Sequence, residues 1–433
     1  MQTQQTNGTH LHIRREGNFV NKIFHYLFYL QFALIGILAC YLTVSGFVSS
    51  AAKSHRFHPK EWNLPVISST ACAGIVAFLF QEFTSLDPSR VIKAAFWLGP
   101  FLTCGFGILL ISIETPGSIA VAIFAFVCSF VQSLYACWIS SRLKLANRIV
   151  SISIENRPLK VRAIVIFSII TCALYSVFLL SGIGGATAGR AKILPLFVVL
   201  ILLSFIWTMQ TAKNMVYVTI SHVVYMQFAS AEAIDIKTAM KNTIKHSMGS
   251  ISIGSITVPV IGVITGLARA VNLISGDVDE FMFSCANCCS GVAARLILYG
   301  NKWGFVQVGV YNKGIVQASM DTWEMFKRFR MEKLIDSDLT SSFCFLCGVA
   351  TGSTCALVGG TWALKIHKAY ATEVSLYTFL TGYFMGRVAM AWIQASVAAY
   401  YVAYTENPQS QQFDSTILDY IQEQQRLEAE HSQ

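Results

Sequence analysis

Ten long apolar runs divide this chain of 433 residues, and they constrain its fold more than any other feature. The runs cover residues 26–50, 64–83, 91–113, 117–140, 161–184, 193–224, 249–270, 281–299, 343–364 and 375–404. A helix needs about 20 predominantly apolar residues to cross roughly 30 Å of bilayer hydrocarbon. Only 13% of the residues are charged, against about a quarter in soluble domains. The sequence therefore predicts an all-α, polytopic membrane protein with about ten transmembrane helices.

The lysines and arginines of the predicted loops indicate how the chain is oriented in the membrane. Cytosolic loops of membrane proteins carry an excess of these residues. Here the loops that share a side with the N-terminus hold the larger number, from Arg14 and Arg15 to Lys327 and Arg328. An even number of spans places both ends of the chain on one side. Both termini are therefore predicted to be cytosolic.

This topology divides the chain into three parts. Residues 1–25 form a polar cytosolic N-terminus without a cleavable signal sequence, so we expect the first span to remain as a signal anchor. Residues 26–404 form the transmembrane domain. Residues 405–433 form a polar cytosolic tail in which Phe413 and Ile417 have helical spacing, and this spacing predicts one appended helix.

Charge, cysteines and motifs exclude several other classes of function. The net charge of +9 comes from basic residues scattered over many loops, so no nucleic-acid partner is expected. Most of the 12 cysteines lie in apolar runs, where a thiol behaves as a small hydrophobe. Cys285, Cys288 and Cys289 have a C-x-x-C spacing, but no second pair of ligands follows, so no metal site is predicted. Phosphate-loop, nucleophile-elbow and zinc-protease motifs are missing, and we expect neither enzymatic activity nor a cofactor.

The ionisable residues deep within the predicted spans are Lys213, Arg295 and Arg387, and Glu82 lies near the end of a span. Charged groups at membrane depth are costly and usually face the interior of a helix bundle or an aqueous path. They are therefore candidates for gating or coupling, with ion pairing or snorkelling as the alternative. Because the three deepest groups are cationic, a bare cation beside them is disfavoured, and an anionic ligand stays open.

Aromatic and polar side chains share one helix face on several spans. On the sixth run Trp207, Gln210, Asn214 and Tyr217 fall three or four residues apart, and on the fourth Tyr135 and Trp138 are neighbours. The tenth run repeats the pattern with Tyr383, Arg387, Gln394 and Tyr401. Packing and interfacial anchoring are one explanation for such stripes. The other is an aromatic cage, in which ring faces attract a quaternary ammonium group.

Small residues recur at the spacing that lets helix backbones approach closely in lipid. The pairs are Gly262 with Gly266, Gly348 with Gly352, and Gly382 with Gly386. We expect them to pack helices tightly within the bundle. Hinges in a moving element and contacts in a dimer are the alternatives.

The segment 281–330 combines an apolar run, an arginine, a Gly-Asn-Lys break and a basic helix. Its first half is predicted to be the eighth span. Its second half, from Gly300 onward, is predicted to be cytosolic or re-entrant, because Lys302 and Lys313 bracket a run too short to cross. We expect this second half to act as an inner gate.

Several blocks of sequence, in a fixed order, resemble one protein family. They are SLYACWISSRL, HSMGSISIGSITVP, DEFMFSCANCCSG, YGNKWGFVQVGVYNKGIVQASMDTWEMF and AYYVAYTENP. Together they resemble the choline transporter-like family, most of all its plant members, from about Ser133 to Pro408. Family blocks fall on Gly249, Ser250, Gly254, Ser255, Tyr299, Gly300, Asn301, Gly314, Ser319, Trp323 and Tyr401.

The resemblance implies a carrier for choline, with ethanolamine and related amines as further substrates. It implies a multi-pass protein of the plasma membrane, with the trans-Golgi or another endomembrane as the alternative location. Residues 26–404 would then be a transporter domain that works by alternating access among membrane lipids.

Combining this implied substrate with the aromatic stripes gives a candidate site. We expect the substrate to meet Tyr135, Trp138, Trp207, Gln210, Asn214 and Tyr217, with the amides accepting from its hydroxyl. Glu82 is the candidate for charge balance or proton coupling. Two alternatives remain: a scaffold or trafficking factor that uses its basic loop and tail, and a protein that handles anions or anionic lipids near Lys213, Arg295 and Arg387.

Overall fold

A computed structural model describes residues 2–51, 58–139, 143–155, 160–187, 193–230, 234–260, 301–336, 338–408, 410 and 413–431. Within these ranges the regular structure is helical, and no strand is present. Seven of the described helices are long and apolar enough to cross a membrane. The protein is therefore an all-α polytopic membrane protein, as the apolar runs predict.

The helices follow one another in this order. They are α1 (Gln2–Ala51), α2 (Pro59–Leu86), α3 (Pro88–Ile113), α4 (Pro116–Ile139), α5 (Leu143–Glu155), α6 (Val161–Thr187), α7 (Leu194–Ser230), α8 (Ile236–Asn242), a π-helical turn (Thr243–Ser247), α9 (248–260), α10 (Gly304–Tyr311), α11 (Ile315–Arg328), α12 (Glu332–Asp336), α13 (Thr340–Ile366), a 3₁₀ turn (Lys368–Tyr370), α14 (Ala371–Ala389), α15 (Ala391–Glu406) and α16 (Thr416–His431).

Seven of the ten predicted spans coincide with single helices, and the tenth differs. The seven candidate spans lie in α1, α2, α3, α4, α6, α7 and α13. The eighth run and the end of the seventh fall on residues 261–300, outside the described ranges. The tenth run is two helices, α14 and α15, which meet at Met390. Met390 N–H still donates to Gly386 O at 3.1 Å, so the helical hydrogen bonding continues up to the junction. The count of ten spans stays a prediction.

Proline and aspartate fix where several spans begin. Pro59 and Pro88 stand at the first position of α2 and α3, where the missing N–H would have had no helical partner. Asp87 precedes α3, and its Oδ1 accepts from Arg90 N at 3.1 Å as an N-cap. These local rules explain why the link between α2 and α3 is a single residue.

The chain divides into two compact units. The first unit comprises Met1–Leu30, Tyr217–Ser337 and Ala395–Gln433. The second unit comprises Gln31–Val216 and Asp338–Gln394. The division between them falls inside α1, α7 and α15.

In the second unit, glycines set the approach of α13 to α14, which is the most extensive helix contact among the described elements. A Cβ added at Gly382 would lie 2.9 Å from the Cα of Gly352, and one added at Gly386 would lie 3.0 Å from the Cα of Gly348. No side chain fits at either crossing. The predicted packing role of these two glycine pairs is confirmed, whereas Gly262 and Gly266 lie outside the described residues.

In the first unit, Asn301 holds α10 against α11. Its Oδ1 accepts from Gly304 N at 2.9 Å, and its Nδ2 donates to Ser319 O at 2.9 Å. A Cβ at Gly304 would lie 2.6 Å from the Ser319 hydroxyl, so this contact also requires glycine. The tail contributes α16, and Phe413 before it stacks on Phe228 with centroids 5.4 Å apart.

Candidate functional site

A group of aromatic and neutral polar side chains meets at mid-span in the second unit. It comprises Gln31, Phe32, Tyr175, Ser204, Phe205, Thr208 and Phe384, contributed by α1, α6, α7 and α14. We call it the mid-span cluster. Tyr175 lies near the middle of the 27-residue helix α6. Thr208 lies about 21 Å along α7 from Leu194 at 1.5 Å per residue. Both residues therefore lie well away from the ends of their helices.

Hydrogen bonds centred on Thr208 join three helices in this cluster. Tyr175 Oη donates to Thr208 Oγ1 at 3.2 Å, and Gln31 Nε2 donates to the same oxygen at 3.4 Å. Ser204 Oγ donates to Gln31 Oε1 at 2.6 Å. The spacing of Ser204 and Thr208 places both on one face of α7. The polar groups thus satisfy one another without an ionised member.

Aromatic rings surround this polar centre. Tyr175 stacks on Phe32 with centroids 5.5 Å apart and on Phe205 at 6.3 Å. Phe205 in turn meets Phe384 edge to face at 6.0 Å. Stacked and edge-to-face rings at these distances attract one another. The cluster therefore combines ring faces with neutral hydroxyl and amide groups.

Thr211 adds a spare hydroxyl next to the cluster. It follows Thr208 by three residues, so it continues the same face of α7. Its side chain is buried, and its Oγ1 has no hydrogen-bond partner among the residues that the structure describes. A buried polar atom without a partner is unfavourable. This oxygen is thus available to a ligand hydroxyl.

The predicted residues of α7 lie beside this face. Trp207 and Gln210 are half-buried, and Asn214 and Lys213 are buried, with Lys213 6% exposed. All four belong to the second unit. Tyr217 belongs to the first unit, where it is buried against the ring of Phe305 with centroids 5.9 Å apart. The predicted stripe is thus divided between the two units.

The predicted pair on α4 lies at the surface of the second unit. Tyr135 shares a 2.8 Å hydrogen bond with the Ser342 hydroxyl and packs on Phe96. Trp138 is 62% exposed, on a helix whose apolar residues such as Phe130 are exposed as well. Exposed apolar residues on a spanning helix face lipid, so interfacial anchoring explains Trp138 better than a cage does.

The predicted gating and coupling residues have structural neighbours. Glu82 Oε2 accepts from Arg162 Nη2 at 2.6 Å. The stem of Arg387 packs over Gly348, where an added Cβ would lie 2.9 Å from Cγ. Arg295 lies outside the described residues. Glu82 thus has an ion-pair partner and Arg387 a packing contact in the second unit, and a role of either in gating or coupling stays a prediction.

A second cluster, which we call the inner cluster, lies in the first unit and comprises Tyr225, Gln307, Tyr311 and Glu406. The hydroxyl groups of Tyr225 and Tyr311 both donate to Glu406 Oε2, from Tyr311 at 2.7 Å. Gln307 Nε2 donates to Glu406 Oε1 at 3.4 Å. Burial raises the pKa of Tyr311, and its hydrogen bond to Glu406 adds to this effect. Tyr311 therefore keeps its proton at physiological pH.

The inner cluster is anchored by an ion pair. Lys313 Nζ donates to Gln307 Oε1 at 3.1 Å and to Asp321 Oδ2 at 2.6 Å. These contacts tie the link between α10 and α11 to the residues around Glu406. The segment that we predicted to be an inner gate, from Gly300 onward, thus holds a continuous polar network.

Sequence reasoning missed both clusters. Ser and Thr in apolar helices commonly bond their own backbone, so the set Ser204, Thr208 and Thr211 carries little signal of a site. Its spacing of four and three residues was the available clue. Tyr175 lies in an otherwise strongly apolar run and belongs to no aromatic stripe, and Glu406 follows the end of the last run.

Residues of the family blocks gather in the first unit. An added Cβ at Gly249 would overlap the backbone of Asn21 on α1, and one at Gly254 would lie 2.5 Å from the ring of Phe305. Tyr401 packs on Trp303 with centroids 5.5 Å apart. Tyr299 and Gly300 lie outside the described residues. The blocks thus mark close helix crossings and ring contacts.

Curated relatives share part of this chain. It is 27% identical over 172 residues to Protein PNS1 of Cryptococcus neoformans, which is 37% of this chain and 31% of the relative. It is 23% identical over 239 residues to Protein PNS1 of Mycosarcoma maydis, covering 52% of this chain and 45% of the relative. The matched part thus spans about a third to a half of the length of these relatives.

A family match covers more of the chain. The model of the family described as plasma-membrane choline transporter matches residues 122–409, which is more than half of the 433 residues. The match includes α6, α7, α13 and α14, and with them most of the mid-span cluster. It also includes the sequence blocks gathered in the first unit. This protein belongs to the choline transporter-like family.

Proposed function

We propose that this protein carries choline, or a closely related quaternary amine, across a membrane by alternating access, with the substrate bound at the mid-span cluster. The observation that carries the proposal is the neutral cluster of ring faces and hydroxyl groups at mid-depth in a member of this family. Substrate sites of alternating-access carriers lie near the bilayer midplane. No chemical conversion is part of the proposal, and the plasma membrane is its proposed location.

The chemistry of choline fits these groups. Its ammonium group carries a fixed charge and has no hydrogen to donate, so ring faces attract it without needing a carboxylate. Its single hydroxyl group matches a buried oxygen such as Thr211 Oγ1. A neutral site also avoids burying an ionised carboxylate in hydrocarbon, which is costly.

The positive charge of Lys213 is compatible with a cationic substrate at the mid-span cluster. It follows Thr208 by five residues on α7. Five residues correspond to about 140° of rotation at 3.6 residues per turn, so the two side chains leave different faces of the helix. Lys213, Arg387 and Glu82 remain candidates for gating or coupling in the proposed cycle.

The inner cluster is the proposed gate on the predicted cytosolic side. Its bonds join α7, α10 and α15 within the first unit. We expect the bonds of Tyr225 and Tyr311 to Glu406 to hold this side closed. Opening would then require both phenol groups to leave the carboxylate.

Two variants of Tyr175 test the proposed site. Tyr175→Ala removes a ring face, and we expect the half-saturating choline concentration for uptake into proteoliposomes to rise about tenfold, or ~1.4 kcal/mol. Tyr175→Phe keeps the ring and loses one neutral hydrogen bond, so a rise of about threefold is expected.

Phe101→Ala is the matched control, because Phe101 is an aromatic residue that is 72% exposed on the spanning helix α3. It should leave choline uptake unchanged. Equal uptake by Tyr175→Ala and wild-type protein, at equal reconstitution, would exclude this site. Absence of choline uptake by the wild type would instead favour a scaffold or trafficking factor. Uptake of an anion or lipid that choline does not inhibit would favour a protein that handles anions or anionic lipids.

A further inference from the structure

Two helix ends in the second unit bring together three side chains that bind metals. His58 precedes α2, Glu61 lies in the first turn of α2, and His367 follows α13. Each residue offers one ligand atom, and the three atoms all lie within 4.8 Å of one another. We propose that His58, Glu61 and His367 form a binding site for a divalent transition metal, for which Zn²⁺ is the probe.

Unpartnered atoms at this place support a ligand. Glu61 Oε2 and His367 Nδ1 are both buried, and neither has a hydrogen-bond partner among the residues that the structure describes. Buried carboxylate and imidazole atoms normally have a partner, because desolvation without one is unfavourable. A metal ion bound between them would satisfy both atoms at once.

The aromatic residues behind the site hold it in place. Tyr370 stacks on the ring of His367 with centroids 4.5 Å apart, and its hydroxyl group bonds the backbone of His58. Trp62 meets Tyr370 edge to face at 5.6 Å. Trp62 is itself fixed, because its Nε1 donates to Leu180 O at 2.9 Å. The proposed ligand residues are thus backed by tightly packed aromatic side chains.

The set of ligands selects the class of metal. Imidazole nitrogen suits zinc, copper and nickel, whereas calcium and magnesium prefer oxygen ligands alone. Two histidines and one glutamate form a known zinc set that leaves a fourth position for water. Bonds of about 2.1 Å place tetrahedral ligands roughly 3.4 Å apart, so a small side-chain movement suffices to close the site.

Charges around the site permit a cation. Lys368 is the basic residue next to His367 in the sequence, and its Nζ pairs with Glu114 Oε2 at 2.8 Å. Glu373, in the first turn of α14, is exposed. Its negative charge, like that of Glu61, interacts with the hydroxyl group of Tyr370. The segment before α2 and the link between α13 and α14 belong to loops that are predicted to face away from the cytosol. A bound ion would therefore tie the start of α2 to the link between α13 and α14.

Titration calorimetry of the purified full chain with ZnCl₂ tests the site. We expect each of the variants His58→Ala, His367→Ala and Glu61→Gln to bind one zinc ion fewer than the wild-type protein, or to bind that ion with an affinity at least tenfold lower. The zinc-induced rise in melting temperature should disappear with it. His246→Ala is the matched control, because His246 is exposed and lies in the first unit. The zinc bound by each variant is compared with that bound by the wild-type protein, because the thiol groups of Cys285, Cys288 and Cys289 can also bind zinc.

A second measurement needs no variant. Co²⁺ added to the wild-type protein should give the visible absorption of a tetrahedral site with nitrogen and oxygen ligands, and Zn²⁺ should displace it. Unchanged zinc stoichiometry and affinity in all three ligand variants would overturn the proposal. So would a cobalt spectrum that shows only thiolate or six-coordinate binding.

Discussion

Trp62 shows how one residue connects the fold to a surface site. It is fully buried, its Nε1 donates to Leu180 O, and its ring supports Tyr370 beneath the proposed metal ligands. Gly184 makes room for it, because a Cβ there would overlap the indole. A large aromatic residue and a facing glycine thus fix the crossing of α2 and α6.

Trp62→Phe should lower the stability of the protein. The phenyl ring leaves part of the indole's space empty and removes the hydrogen bond to Leu180 O, and the two losses together cost about 1–3 kcal/mol. The measurement is thermal unfolding of the detergent-solubilised protein. Trp97→Phe is the control, because Trp97 is 57% exposed on α3 and should change little. Equal losses in both variants would contradict this account of Trp62.

Single residues of the candidate site were only partly predictable. The sequence identified α7 as a helix with polar and aromatic stripes, and the structure places the mid-span cluster on that helix. It could not indicate that Ser204 and Thr208, not Trp207, meet Tyr175. Helical periodicity defines the faces of a helix. Which face points inward depends on neighbours such as Gln31, 173 residues away from Ser204.

At the scale of helices, α2, α13 and α14 form the centre of the second unit. Glycines allow α13 and α14 to touch along their length. The side chains of Cys72 on α2 and Cys355 on α13 lie close enough to interact. Cross-linking of this native pair therefore tests how closely the two helices pack.

Mild oxidation of the protein in membranes should link Cys72 to Cys355. Their side chains lie close enough to interact, so a disulfide can form if the two sulfur atoms approach further. Mass spectrometry of peptides from the oxidised protein detects the link. Cys137 is exposed on α4 and should stay unlinked to either residue. Recovery of Cys72 and Cys355 only as separate thiols, with other cysteines oxidised, would contradict the packing of α2 on α13.

Helices were more predictable than single residues, for a physical reason. A membrane span must be long and apolar, and a close crossing must use small residues, so both leave a trace in the sequence. The junction at Met390 left none, since neither proline nor glycine stands there. The proposed metal ligands His58 and His367 were equally hidden, because only the packing of α2 against α13 brings them together.

At the scale of the whole molecule, the family match and the apolar helices agree on a multi-pass membrane protein. The cytosolic location of both termini rests on the distribution of lysine and arginine and stays a prediction. So does the division into N-terminus, transporter domain and tail. The proposed substrate and mechanism rest on the chemistry of the mid-span cluster, whose ring faces and neutral polar groups suit a quaternary amine.

Choline counterflow tests the central claim most directly. Proteoliposomes that contain the purified protein are loaded with unlabelled choline and diluted into a trace of labelled choline. A carrier that works by alternating access should take up the label transiently above its equilibrium level, because unlabelled choline leaving the vesicle returns the site to the inside with label bound. Uptake that never exceeds that of protein-free vesicles, or that only approaches equilibrium, would contradict the account.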